Sequence, residues 1–290
     1  MLDSSDTLWR YMKLSSFLLL LEGKAWFPSV ASLRAGDPLE AALVKDRYTD
    51  FWGAIHQTGE KERISEWLYA SLPEVKKKLL ADNSIINDQV LGDEFAGRMA
   101  ALRAAWCWFQ SDLESAAMWS IYGHQGVAVQ TNWKCLQNAL PKNIIFRIDN
   151  MVYLDRRPCA DRSITNVLSE QPNLILRPYF LKAIEYKHEK EVRVVAHCPD
   201  GANGRMVTGI NHRLLIREVL ISPLLPADEA EAVAKFIRLR SDAEDFSINR
   251  STLIGGNSDS GFERAMEEHL FGTTDDNIDT TILPPCLTSL

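Results

Sequence analysis

Glu189 and Glu191 stand two apart in the stretch His188-Glu189-Lys190-Glu191-Val192-Arg193-Val194-Val195-Ala196, and that spacing is the first sign of chemistry in the chain. Alternating character, with β-branched residues at the end, predicts a strand over 188–196. Successive side chains on a strand point to opposite faces. Val192, Val194 and Ala196 then form an apolar face, while Glu189, Glu191 and Arg193 share the other. Carboxylates two residues apart on one face lie roughly 7 Å from each other. Their repulsion calls for an arginine, a partner or a cationic substrate. The same residues also suit a half-buried strand carrying cross-strand ion pairs, with Arg193 neutralising Glu191 or Glu189.

Such a strand needs a scaffold, and the rest of the sequence supplies one. Residues 8–12 read as a short first strand with Arg10 set among aromatics. Ser15-Ser16 offers an N-cap for a helix over 17–22, and Gly23 its stop. Residues 24–29 form a second strand, followed by a turn-rich loop over 29–38 in which Gly36-Asp37-Pro38 marks a turn. From 41 to about 105 the spacing turns helical, with helices predicted over 41–52, 60–70, 73–81 and 94–105. This block reads as an insertion, and its Lys76-Lys77-Lys78 run as a solvated helix face. Strand character returns at 106–109, 126–131, 144–148, 151–154, 188–196 and 216–221. Helical spacing recurs at 111–122, 164–168, 227–239 and 262–270, and 174–184 reads as helix or extended chain. The simplest architecture is α+β, mostly antiparallel: one domain over 1–245 with the helical insertion at about 41–105, then a C-terminal extension over 246–290 with one helix and a polar tail.

With 290 residues, 46% of them hydrophobic, the chain can bury a full core. A formal net charge of −7 argues against a broad phosphate-binding surface and leaves room for a local basic pocket. Five cysteines, widely spaced and without a C-x-x-C pair, indicate neither a disulfide framework nor a zinc knuckle. Reduced thiols in a cytoplasmic protein are the default. The apolar run at 17–21 is too short to span a bilayer, and its flanks are not those of a signal peptide, so no membrane partner is expected.

Several familiar chemistries are missing. Gly255-Gly256-Asn257-Ser258-Asp259-Ser260-Gly261 lacks the following Lys-Ser/Thr of a phosphate loop. There is no G-x-S-x-G elbow. His188 and Glu189 point to opposite faces of a strand, and no H-E-x-x-H frame accompanies them, so no metal is expected.

Three ordered stretches carry a resemblance. Leu8-Trp9-Arg10-Tyr11, with residues 22–33 and 36–40 after it, resembles the opening signature of the bacterial DUF2971 family. Ala117-Met118-Trp119-Ser120-Ile121-Tyr122-Gly123, followed by Gly126-Val127-Ala128-Val129, resembles its central signature. Residues 188–193 with 218–223 resemble its closing one. The sequence departs from the family at Gly36 and Val192. The layout is in turn similar to ADP-ribosyltransferase-like folds, which implies a split, mostly antiparallel β-sheet core.

That likeness implies an enzyme using NAD as its substrate, for ADP-ribosyl transfer or NAD cleavage, intracellular and toxin-like or defensive against phage. It implies catalytic Glu191, with Glu189 positioning or deprotonating the acceptor. Arg10 suits a pyrophosphate, Ser29 orients the glutamate, and Trp26, Tyr11 or Tyr122 stacks on nicotinamide. The acceptor is a protein or nucleic acid, and an antitoxin or regulatory partner fits the same picture. Other readings stand beside it. Arg10 pairs with Asp37 or Glu40, Ser29 is a turn residue, and Tyr122 with Trp119 belongs to a helix's core face. Glu189, Glu191 and Arg193 then form a structural cluster in a binding or regulatory module. A metal-dependent hydrolase using acidic residues is a third reading.

Overall fold

The computed structural model describes residues 6–34, 36, 37, 40, 63, 66, 69, 70, 94–154, 177–198, 203–240 and 246–253. The helices expected over 41–52, 73–81, 164–168 and 262–270, most of 60–70, the 76–78 lysine run, the 255–261 glycine stretch and the polar tail lie outside them.

A seven-stranded sheet organises the chain, in the order β11-β10-β4-β1-β3-β8-β5. Its strands are β1 (Thr7–Lys13), β3 (Arg103–Gln110), β4 (Gly126–Asn132), β5 (Phe146–Asn150), β8 (Glu191–His197), β10 (Glu218–Ile221) and β11 (Ser247–Arg250). All neighbours pair antiparallel except β10 with β11. Two small ladders flank it: β2 (Lys24–Pro28) antiparallel to β9 (Gly204–Thr208), and β6 (Val152–Leu154) parallel to β7 (Leu181–Ala183). The fold is therefore α+β with a mostly antiparallel sheet.

Both faces of the sheet are covered. On one, Leu8, Met12, Trp106, Trp108, Val192 and Val194 join the large core with Phe17, Phe27 and Ile237. The helices α1 (Leu14–Leu21), α4 (Trp133–Ala139) and α5 (Ala227–Arg240) contribute Phe17, Leu136 and Ile237 to that side. The other face carries two smaller clusters. One is built around Trp9, Tyr11, Phe109 and Trp119, the other around Ala105, Tyr179 and Val195. Among the described residues no helix is long and apolar enough to cross a membrane.

Local differences from the sequence reading have plain causes. α1 begins at Leu14 after Lys13, which offers no side-chain cap, so Ser15 and Ser16 lie inside the helix. Gly23 stops it as expected, at φ 72°. The 29–38 loop contains a short helix, α2 (Val30–Leu33), capped by Ser29. The stretch 111–122 splits into α3 (Ala116–Met118) and a π-helical turn, Trp119–Gly123, where one continuous helix was expected. Gly126 is required by packing, because a Cβ there would lie 2.0 Å from the Met12 carbonyl oxygen across the β1–β4 ladder. β8 starts at Glu191, three residues later than predicted. The preceding residues Ile184–Glu189 form a 3-10 helix whose end turns through Lys190.

Candidate functional site

The site begins where one ladder stops. β1 pairs with β4 at every position from Thr7↔Asn132 to Lys13↔Gly126. With β3 it pairs only at Leu8↔Gln110 and Trp9↔Phe109. Beyond Trp9 these two central strands part, and backbone acceptors along the seam lose their partners. The Arg10 guanidinium fills that gap. Its Nη1 donates to the Cys107 carbonyl oxygen, and its Cζ lies 5.3 Å from the centre of the Trp106 ring. Burial pulls the Arg10 pKa down to about 10, against the opposing influence of Cys107, Glu191 and Tyr122.

The other edge of β3 is fully zipped to β8, from Arg103↔His197 to Phe109↔Glu191. Register therefore sets Trp9, Phe109 and Glu191 side by side on three successive strands, facing the same way. A cavity of about 420 Å³ opens on this face, and Arg10, Tyr11, Cys107, Tyr122 and the charged cluster described next border it. That volume falls in the range of small-molecule sites, roughly 300–1,000 Å³.

Three elements, β8, β7 and the 3-10 helix, and the turn at Glu40 build the charged cluster. Arg193 is wholly buried on β8; its Nε donates to Glu191 Oε1 at 2.7 Å and its Nη1 to Glu40 Oε1 at 2.6 Å. Nη1 also donates to the Tyr179 carbonyl at 2.7 Å. Lys182 reaches in from β7, with its Nζ 2.5 Å from Glu189 Oε2, 3.3 Å from Glu191 Oε2 and 3.9 Å from Glu40 Oε2. Glu189 arrives from the end of the 3-10 helix. Between the two glutamates Lys190 takes φ 38°, the one positive φ of a non-glycine among the described residues. This left-handed step lets Glu189 and Glu191, separated by a single residue, reach the same ammonium; it costs about 1–2 kcal/mol, a strain of the sort that accumulates at functional sites.

Charge in this cluster is balanced by contact. Burial alone would raise the Glu191 carboxyl, but Arg193, by charge and hydrogen bond, together with Lys182 and a hydrogen bond from Cys107, holds it at about 2. Burial would likewise lower Lys182, yet Glu191, Glu189 and Glu40 carry it well above its ordinary value. The Cys107 thiol is pushed up, first by burial and then by Glu191, so it stays protonated. Two buried donors bordering the cavity, Arg193 Nη2 and Trp108 Nε1, find no hydrogen-bond partner among the described residues.

Aromatic side chains complete the walls. The Tyr122 hydroxyl donates to Glu189 Oε1 at 3.1 Å from the half-exposed π-helical turn. Tyr11 packs edge-on to Trp119 at 5.0 Å between centroids, and its hydroxyl accepts from the Ser115 N–H at 2.7 Å. Tyr153 accepts from the Glu191 N–H at 2.7 Å, fixing the start of β8, and burial raises its phenol to about 12.

The structure thus brings together Arg10, Tyr11, Tyr122, Glu189 and Glu191. It leaves out Ser29 and Trp26. Ser29 is buried, but its Oγ accepts from the Ser32 N–H at 3.1 Å as the α2 N-cap, and it reaches no glutamate. Trp26 is 46% exposed, because Ala25 and Phe27 take the inward positions of β2 and alternation turns Trp26 outward beside Met206. Arg10 bonds a backbone carbonyl, whereas Glu40 goes to Arg193 and Lys182. Arg193 takes Glu191 and not Glu189. Glu189 does share the cluster, though from the 3-10 helix and not from the face of a strand.

The sequence reading missed Lys182 and Cys107, and it assigned Glu40 to Arg10, where the structure pairs it with Arg193 and Lys182. Lys182 carried one faint signal, a single cation inside the apolar run Tyr179-Phe180-Leu181-Lys182-Ala183-Ile184. Buried lysines of that kind are seldom left without a partner. Cys107 carried none. Compared with models of protein families, with curated proteins and with solved structures, the chain matches none.

Proposed function

We propose that this cavity binds NAD and cleaves its nicotinamide–ribose bond, passing the ADP-ribosyl group to water or to an acceptor. The observation that carries the reading is the meeting of Arg10, from the first strand, and Glu191, from the eighth, at one hollow of ligand size. Cleavage breaks the C–N glycosidic bond, the electron pair leaves with nicotinamide, and positive charge develops on the ribose as in glycoside hydrolysis. A fixed carboxylate beside that ribose stabilises the charge. Glu191 stays ionised at neutral pH and is clamped on both oxygens, which suits this role. Arg10 offers its remaining guanidinium donors to the pyrophosphate, and Tyr11 and Tyr122 give the flat rings against which nicotinamide packs. Glu189, oriented by Tyr122, stands on the acceptor side.

A second reading also has a specific observation behind it. Glu40, Glu189 and Glu191 each touch Lys182 or Arg193, so none of the three lacks a cation. That pattern equally serves a binding module whose cluster only holds the sheet together. Incubation of the purified protein with NAD separates the two. Nicotinamide released by the wild-type chain and lost in Glu191→Ala supports the enzyme. No release from the wild-type chain, with a lower melting temperature for the variant, supports the structural cluster.

A further inference from the structure

We infer that Lys182 is the positioning residue of this site, the cation that holds Glu189 and Glu191 together in their charged forms. The inference rests on the proposed reading for its effect on catalysis, but on geometry alone for the contact. Lys182 Nζ touches Glu189 Oε2 at 2.5 Å and Glu191 Oε2 at 3.3 Å, so the two oxygens are no farther apart than those contacts laid end to end. Like charges so close, in a buried cluster, do not both stay ionised without a cation between them.

The other groups around the cluster cannot replace it. Arg193 on β8 spends its Nε on Glu191 and its Nη1 on Glu40 and the Tyr179 carbonyl, and makes no ion pair with Glu189. Arg10 on β1 is tied to the Cys107 carbonyl, and Cys107 on β3 is a protonated thiol. Tyr122 from the π-helical turn gives Glu189 one neutral hydrogen bond, and Tyr153 on β6 bonds the Glu191 backbone. Glu40, 3.9 Å from Lys182, and Asp37 at the cavity wall add negative charge. The ring of Tyr186, centred 4.9 Å from Nζ, adds a cation–π contact to the ammonium.

Removing the ammonium and keeping the stem, as Lys182→Met does, leaves Arg193 on Glu191 but takes away the cation between the two carboxylates, so the pair takes up a proton at a higher pH than in the wild-type chain. The acid limb of kcat/KM for NAD then moves up by about one pH unit. At pH 7, kcat falls about tenfold while KM changes little, because the substrate contacts remain. Lys182→Arg restores most of the rate, since a guanidinium also bridges two carboxylates.

A second readout does not depend on NAD. A carboxyl whose folded pKa lies above its unfolded one stabilises the fold at low pH and loses that contribution as pH rises. The Lys182→Met protein therefore melts at a higher temperature at pH 5 than at pH 7, whereas wild type and Lys182→Arg do not. If Lys182→Met fails to fold, the double variant with Glu189→Gln, which removes one of the two charges, recovers the folded state. Melting profiles of Lys182→Met and wild type with the same pH dependence overturn the inference, as does a double variant that stays unfolded. A wild-type protein that releases no nicotinamide defeats the NAD reading, and the melting profiles still decide the role of Lys182.

Discussion

Arg10 Nη1 donates to the Cys107 carbonyl oxygen at the point where β1 and β3 stop pairing. A side chain thereby does what the next rungs of the ladder would have done, and the seam it closes borders the cavity. The structure makes Arg10 a strut, the proposed function makes it a ligand contact as well, and the two roles separate by experiment. Arg10→Lys keeps a cation but loses the planar fork, so KM for NAD rises about tenfold while the melting temperature falls by only a few degrees. Equilibrium binding of NAD and a thermal melt on the same sample give both numbers. An unchanged affinity for NAD removes Arg10 from the site.

The low pKa of Glu191 ties stability to pH. Its folded value of about 2 lies below the ordinary 4.5, so its contribution is fully present above the unfolded value and fades as pH falls from 4.5 towards 2. A shift of that size corresponds to roughly 3 kcal/mol. Glu191→Gln cannot titrate and flattens the stability curve over that interval. Urea unfolding between pH 5 and 2 checks it, and equal slopes for the two proteins refute the assignment.

Arg193 anchors two carboxylates from inside the core. Arg193→Met leaves both without this partner and costs about 3–5 kcal/mol, the usual price of half a buried ion pair. Adding Glu40→Gln returns about 1 kcal/mol or more of that loss. Strictly additive losses in the cycle mean that Glu40 and Arg193 do not act as a unit.

Ser29 gives the control. Its Oγ caps α2 and touches no charged group of the cluster, so Ser29→Ala lowers stability by about 1 kcal/mol and leaves kcat and KM for NAD unchanged. A selective loss of NAD cleavage in this variant contradicts the geometry.

How legible the fold was depended on the range of the forces involved. Strands with a β-branched or aromatic face, such as 126–131 and 216–221, were visible because alternation is a local property. The helix over 227–239 was visible for the same reason, since one apolar stripe recurs along it. Elements shaped by a neighbour were not. β9 has little apolar character of its own and exists because β2 lies beside it. Lys182 was overlooked because a lysine in an apolar run has meaning only once the carboxylates it meets are known.

By itself the sequence determined the alternation that buries Val192 and Val194 and turns Glu191 and Arg193 to the opposite face, because side-chain direction on a strand follows from the backbone alone. It also supplied the Arg10 and the tyrosines that border the cavity. Only the tertiary structure decided which charges meet: Glu40 with Arg193, Lys182 with two glutamates, and Arg10 with a backbone carbonyl. Those pairings depend on where β1 leaves β3 and on one left-handed residue at Lys190. A break in a ladder is settled by the packing of whole strands, and no local pattern records it.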